Sequence, residues 1–301
     1  MEADRSVPPV KITAPAETPR KPARPDIALN LLLGLAAGIV LGIAGAFAMD
    51  GFDSGFRSVQ DVESRLRVPV MAVIPRQPFG RGMDEAQARA VLAAVYKSLC
   101  AHVRLWNADG KSKCVAFASA EPLAGKTSAA LNCAVMMAQP GSKVALLDLD
   151  MRKPSIHKLL GAEKVPGVSA VVLGKVSWRS AALKVALDRL ADGKGALYAI
   201  PAGDADINPM ELLRSRAASD LVKELKTEFD YVIADTPSMV SAPDVSVFAD
   251  KADGVIFVCR AGRSDASAAA NAVAELNAGS AKVFGAVLNG VKPARGADKI
   301  A

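Results

Sequence analysis

Lys113-Cys-Val-Ala-Phe-Ala-Ser-Ala-Glu-Pro-Leu-Ala-Gly-Lys-Thr-Ser128 is the stretch whose reading decides the fold. An apolar run from Cys114 to Ala118 enters a tight loop ending in Gly125-Lys126-Thr127, and an apolar helix is predicted from Ala129 to Ala138. Strand, loop and helix in that order give a phosphate-binding loop its physical sense. Successive backbone N–H groups wrap a phosphate, the helix N-terminus adds its positive dipole end, and Lys126 reaches the outer phosphates. Thr127 offers a hydroxyl to Mg²⁺. Ala120 stands where the general pattern has its first glycine, so the loop draws support from two carboxylate-bearing segments further along the chain.

Both of these segments are strands that end in acid. Lys143-Val-Ala-Leu-Leu-Asp-Leu-Asp-Met-Arg152 is a buried-type strand ending in Asp148 and Asp150, and Tyr231-Val-Ile-Ala-Asp-Thr-Pro237 is another ending in Asp235. In an open parallel sheet, ligands collect at the carboxyl ends of strands. Mg²⁺ needs only one or two carboxylates beside phosphate oxygens and waters. One such Asp would merely terminate a strand. Three of them beside Gly125-Lys126-Thr127 point to a Mg²⁺-nucleotide site.

The chain has 301 residues, enough for one sizeable α/β domain and an appendage. It is 51% hydrophobic with 5% aromatic residues, and the excess is local. Ile27 to Met49 carries no charge and one strongly polar residue, Asn30. At about 1.5 Å per residue such a helix spans a hydrocarbon core of about 30 Å. It is too long for a signal peptide and lies behind a polar, proline-rich lead, so it reads as a transmembrane helix. The net charge of +6 forms no basic stripe with interleaved aromatics, so nucleic acid is not an expected partner. Cys100, Cys114, Cys133 and Cys259 are scattered, without metal-ligand spacing, and read as reduced buried thiols of a cytosolic domain. His102 and His157 are isolated, and no zinc site or nucleophile–His arrangement is visible.

Residues 1–26 hold six prolines and should be extended, apart from a short strand around Val10 to Ile12. In the membrane helix, Gly34, Gly38 and Gly42 share one face, where a second helix backbone has room to approach. Residues 50–83 read as a juxtamembrane connector with a short strand between Pro69 and Pro75. From residue 84 to the end the pattern is that of a separate domain. It opens with a helix to Trp106 whose apolar positions are Leu92, Val95, Leu99 and Val103. Further strands are expected at Leu197–Pro201, Val255–Cys259 and Val283–Asn289, with helices at Ala217–Phe229 and Asp265–Ala278. Such alternation argues for a doubly wound, mostly parallel sheet.

From about Ala94 to Lys292 the chain resembles the bacterial tyrosine kinase domain, a relative of the cell-division and partition ATPases. The resemblance rests on Ala120–Thr127, Leu146-Leu-Asp-Leu-Asp-Met-Arg-Lys-Pro154, Asn208-Pro-Met-Glu-Leu-Leu-Arg-Ser215, Val232-Ile-Ala-Asp-Thr-Pro237 and Gly285-Ala-Val-Leu-Asn289. It implies a P-loop NTPase fold behind one transmembrane helix, with ATP and Mg²⁺ as cofactors. Nucleotide contacts are then expected from Pro122, Leu123, Ala124, Gly125, Lys126, Thr127, Ser128, Arg152 and Asn289. Lys126, Asp148, Asp150 and Asp235 would be catalytic, with Asp150 or Asp148 orienting the attacking hydroxyl. Thr127, Asp148 and Asp235 would serve the metal. The front of the chain, with Ser58-Val-Gln-Asp-Val-Glu63 and Val68-Pro-Val-Met-Ala-Val-Ile-Pro75, resembles the C-terminal end of a polysaccharide co-polymerase. That family usually has two membrane helices around a large periplasmic domain, so the chain is a fragment, a split-gene product or a reduced member. The resemblance implies an inner-membrane, single-pass protein of exopolysaccharide or capsule biosynthesis. Its partners would be the co-polymerase, the polymerase or export proteins.

Some residues depart from the family pattern. The kinase family ends in a tyrosine-rich tail, whereas the tyrosines here are Tyr96, Tyr198 and Tyr231. Tyr198 and Tyr231 lie in strand-like runs and are expected to be buried, and Tyr96 is expected either to pack its helix against the sheet or to sit at the rim of the packed face. Ala94, Lys97 and Cys100 stand where the family's oligomer helix carries a Glu and two Arg. Ser238 replaces a second proline, and Leu123 stands where Gly is common. Two functions stay open: a protein-tyrosine kinase, or a nucleotide-responsive co-polymerase subunit with little kinase turnover. An ATP site belongs in the cytosol, which puts residues 1–26 outside. The five Lys and Arg of that segment, against three in residues 50–67, argue for the opposite orientation.

Overall fold

The computed structural model describes residues 26–52, 55–76, 85–106, 113–162, 166–187, 195–204, 208–241 and 244–292. The strand expected around Val10 to Ile12 lies outside them. Two units are distinct along the chain, residues 1–53 and residues 54–301. The first holds helix α1 (Ile27–Phe52), long and apolar enough to cross a membrane. Its leucines and isoleucines are exposed.

In the second unit the chain runs through α2 (Val59–Leu66), β1 (Val70–Pro75), α3 (Glu85–Trp106), β2 (Lys113–Ala118), α4 (Lys126–Ala138) and β3 (Lys143–Asp148). Then come α5 (Ile156–Leu159), α6 (Val168–Val172), α7 (Trp178–Ala181), β4 (Leu183–Val185), β5 (Ala196–Ile200), α8 (Pro209–Arg214) and α9 (Arg216–Glu228). It closes with β6 (Tyr231–Asp235), α10 (Asp244–Ala249), β7 (Gly254–Arg260), α11 (Ala266–Ala278) and β8 (Val283–Val291). The strands form one sheet in the order β1-β8-β7-β2-β6-β3-β5-β4. Every pairing is parallel except that of β4 with β5.

Helices cover both faces of this sheet, which explains why its strands are continuous apolar runs. Along β2, Cys114, Ala116 and Ala118 face the core under α2, α9 and α11, while Val115 and Phe117 face the core under α3 and α4. The inner face of α4 is mostly Ala and Cys, from Ala129 to Ala138, so the helix that starts at the phosphate loop lies close on the sheet. Local chemistry sets the other helix ends. Ser58 accepts from the Asp61 N–H, Ser215 from Ala218, and Asp265 from Ala268 at 2.7 Å. In the Asn208-Pro motif, Asn208 Oδ1 accepts from the Met210 N–H at 3.1 Å and Pro209 takes the first turn of α8.

Three findings differ from the reading of the sequence. Residues 55–76 are part of the fold: α2 packs its Val62 and Leu66 into the core, and β1 pairs with β8 as the edge strand. A strand between two prolines suits an edge, because only one side of it must join the ladder. The edge strand β4 has no counterpart among the expected strands; its three residues are too few to show a period. Tyr198 and Tyr231 are half-buried rather than buried, while Tyr96, 5% exposed, takes the packed of its two expected placements. The buried stripe of α3 is Ala88, Tyr96, Leu99, Cys100 and Val103, with Leu92 and Val95 only half-buried, and burial pushes the Tyr96 phenol up to about 12. All four cysteines are buried free thiols.

Gly285 of the Gly285–Asn289 motif has a packing explanation. A Cβ there would lie 2.4–2.6 Å from Met71 Sδ, Cε and Cγ on the neighbouring edge strand. Gly285→Ala should therefore loosen β1 from β8 and cost about 1–3 kcal/mol of stability, read as a lower denaturation midpoint. Truncating the obstacle, with Met71→Ala added, should recover part of that loss.

Candidate functional site

The three carboxylates arrive at one place because of strand order. Strand β6 lies between β2 and β3, and the register pairs Phe117 with Asp235 and Asp148 with Asp235. The Leu149 N–H donates to the Asp235 carbonyl at 2.8 Å, so the chains leaving β3 and β6 remain tied. The loop leaving β2 is held in the same way, by Met239 N–H to the Ser119 carbonyl and Val240 N–H to the Ala120 carbonyl, both 2.9 Å.

Gly125 sits at the N-cap of α4 with φ +94°, and no side chain caps the helix. The first N–H groups of α4 have no partner within the helix, so they and the dipole are left to an anion. Only glycine suits this position, since a Cβ would come within 1.9 Å of Asn289 Nδ2. Lys126 is 8% exposed, and its Nζ lies 3.3 Å from Asp235 Oδ1. Asp235 is sealed from solvent, and neither of its oxygens accepts a hydrogen bond of good geometry. Burial raises its pKa against the opposing pull of Lys126 and Thr127. A buried carboxylate left short of donors beside an uncapped helix start is what a hydrated divalent cation and a phosphate would complete. The residues present fit Mg²⁺ and a nucleotide.

Asp148 and Asp150 separate into different environments. Asp148 is fully buried and accepts three backbone N–H bonds at 3.1 Å: Oδ1 from Asp150, and Oδ2 from Ser155 and Ile156. Burial, with the Asp235 charge behind it, raises the Asp148 carboxyl to about 6 despite those bonds. Its oxygens thus help to fold the β3–α5 loop. Asp150 lines the open cleft, its Oδ1 accepting from the Lys153 N–H at 3.0 Å.

That cleft has a volume of about 720 Å³. Of the expected residues, Pro122, Leu123, Ala124, Gly125, Lys126, Thr127, Ser128, Asp150 and Arg152 line it. Arg152 Nη1 donates to the Ser241 carbonyl across the mouth. Asn289 does not line the cleft; its Nδ2 donates to the Ala124 carbonyl at 2.8 Å and so supports the loop from below. Lys153, Lys158 and Arg260 also line it, and the sequence reading misses all three. Arg260 carries a usable signal, being a charged residue at the carboxyl end of an apolar strand, the same pattern that marks Asp148 and Asp235. Arg260 is shared with a second cleft of about 290 Å³, whose walls include Phe56, Arg57, Arg76, Arg263 and Lys292.

Comparison with known proteins agrees with this geometry. A family model described as the NUBPL iron-transfer P-loop NTPase matches residues 111–188, from the phosphate-loop strand through β4. The tyrosine-protein kinase YwqD of Bacillus subtilis is 33% identical over 197 residues, covering 65% of this chain and 80% of the relative. The succinoglycan biosynthesis transport protein ExoP of Rhizobium meliloti is 26% identical over 313 aligned residues, covering 93% of this chain but 39% of ExoP. Against relatives of that longer kind the chain spans about two-fifths of their length. Among solved structures, the kinase domain of VpsO superposes with a TM-score of 0.59 at 30% identity, covering 69% of this chain and 98% of that domain. Fold, cleft and relatives converge: the chain belongs to the bacterial tyrosine-protein kinase family, built on a P-loop NTPase domain.

Proposed function

We propose that this chain binds ATP with Mg²⁺ and transfers the terminal phosphoryl group to protein tyrosine hydroxyls in the service of exopolysaccharide or capsular polysaccharide assembly. The observation that carries this reading is the buried Lys126–Asp235 pair, 3.3 Å apart at the floor of an uncapped, glycine-bearing helix start. When bound, the metal and nucleotide supply charge neutralisation and the phosphoryl group. The N–H groups of residues 125–128 hold the phosphates, and Lys126 places a fixed positive charge against them. Asp235 and Thr127 hold the hydrated cation. Asp150, open to the cleft, takes the part of orienting the acceptor hydroxyl, and Asp148 shapes the loop that presents it.

The polysaccharide setting rests on the relatives' names and on the α1 helix, which we read as an anchor in the bacterial inner membrane with the nucleotide domain on the cytoplasmic side. Space beside Gly34, Gly38 and Gly42 is open, so a second copy's helix has room to pack there. The acceptor tyrosine belongs to another chain or partner, a co-polymerase or export protein. Within the described residues Tyr96 is buried and Tyr198 and Tyr231 are half-buried.

Calorimetry with Mg-ATP and phosphorylation of a Glu-Tyr polymer test the reading. Lys126→Met should weaken nucleotide affinity by roughly 100-fold, the order expected for a lost charge-assisted contact with phosphate. Asp235→Asn should abolish Mg²⁺-dependent turnover while the chain still binds nucleotide. Unchanged affinity in Lys126→Met would mean the loop is no nucleotide site.

Asp148→Asn separates scaffold from chemistry. An amide oxygen can accept from both Ser155 and Ile156 at the position of Oδ2, but its NH2 then faces the Asp150 N–H that Oδ1 accepts, so the variant should lose about 1–3 kcal/mol in acid, where Asp148 is neutral. The pH dependence has a definite sign. With the folded pKa raised to about 6 from 3.8, the Asp148 contribution to stability is fully present below the unfolded value and is lost as pH rises through about 6. Thermal midpoints of the unaltered chain should carry that fall, and Asp148→Asn should flatten it. An identical slope in the two proteins would remove Asp148 as its source.

A further inference from the structure

We propose that Arg260 is a positioning residue of the phosphate loop, holding Leu123 in a conformation that a leucine does not take unaided; this rests on the reading of the loop as a nucleotide site. Leu123 has φ +62°, in the left-handed region where a side chain is strained, and at 80% exposure it gains nothing from burial. Something else must hold it. Arg260 Nη1 donates to the Leu123 carbonyl at 2.7 Å. At the next residue, Asn289 Nδ2 donates to the Ala124 carbonyl at 2.8 Å.

The two donors are not independent. Arg260 and Asn289 are partners in the β7–β8 register, at the carboxyl ends of adjacent strands, and the Asn289 carbonyl accepts from the Ala261 N–H. Arg260 is anchored further by Ser264, whose Oγ accepts the Arg260 N–H at 2.9 Å and whose N–H donates to the Arg260 carbonyl at 2.9 Å. A rigid pair of strand ends therefore grips two consecutive loop carbonyls. In a planar trans peptide the following N–H points opposite to the carbonyl. Fixing the carbonyls of Leu123 and Ala124 thus fixes the N–H directions of Ala124 and Gly125, two donors at the phosphate cradle. Arg260 acts on phosphate through the loop backbone, in addition to any charge it presents to the cleft.

A role by charge and a role by clasp give different results when Leu123 is replaced with glycine, for which the left-handed conformation carries no strain. The experiment uses the full chain in detergent as four proteins: unaltered, Arg260→Ala, Leu123→Gly and the double variant. Amide exchange of residues 120–128 is followed without nucleotide, and Mg-ATP affinity is measured by calorimetry. Arg260→Ala should speed loop exchange and weaken Mg-ATP binding, each by about tenfold, as expected for one charge-assisted hydrogen bond. In the Leu123→Gly background the same replacement should cost about threefold or less, a non-additivity that marks direct coupling. Equal losses in the two backgrounds, or weaker binding with no change in loop exchange, would assign Arg260 to charge alone and overturn the proposal. Failure of the unaltered chain to bind Mg-ATP would overturn the nucleotide reading; the exchange measurement, made without nucleotide, tests the clasp by itself.

Discussion

A buried carboxylate with too few donors is the constraint on which the site depends. Asp235 ends β6, and Lys126 begins the helix after β2, so their 3.3 Å approach depends on β2 and β6 lying side by side. Burying the pair is unfavourable for an isolated domain, since desolvation can exceed the Coulombic gain. The raised pKa of Asp235 expresses that cost. A site that is uncomfortable alone and completed by a cation and phosphates links ligand binding to stability: whatever relieves Asp235 also favours the folded domain.

Much of the sheet is legible in the sequence because parallel strands covered on both faces have an unmistakable composition. Runs such as Val144–Leu147 and Val255–Cys259 are apolar at every position, and each strand read from such a run is present. The elements that escape are short or conditional. Strand β4 has too few residues for a period, and the short helices α5 to α7 pack as loops do, with no repeating face. The α3 pattern misleads in a more instructive way. Leu92, Val95, Leu99 and Val103 do sit at helical spacing, but the helix is turned so that Tyr96 and Cys100 are buried, Cys100 against Cys133 of α4. Periodicity gives a face, and only packing partners say where on that face the centre lies.

The site shows the same limit. Spacing and order group Asp148, Asp150 and Asp235 together, because all three end strands. Which of them meets the ligand depends on backbone geometry after the strand. The chain beyond β3 folds back so that the N–H groups of Asp150, Ser155 and Ile156 point at the buried Asp148, while its neighbour two residues on lines the cleft. Asn289 carries a similar lesson. A motif residue can shape the loop itself, here because its amide holds the Ala124 carbonyl and fills the space that makes Gly125 obligatory.

The segment between α1 and α3 links these parts. Its composition reads as a tether, yet Phe56 is fully buried, its carbonyl accepts the Gly262 N–H at 2.8 Å, and Gly55 bridges to Asp265 at the start of α11. Those contacts fall on the β7–α11 turn, which begins at Arg260, the end of β7, and closes at Asp265, the cap of α11. Chain only a few residues beyond the apolar helix is therefore built into the turn that carries a loop-gripping arginine. Coupling between distant events needs a contiguous, packed route with discrete arrangements. The contacts from Phe56 through Gly262 and Arg260 to Leu123 are contiguous, each step a hydrogen bond or a short stretch of covalent chain.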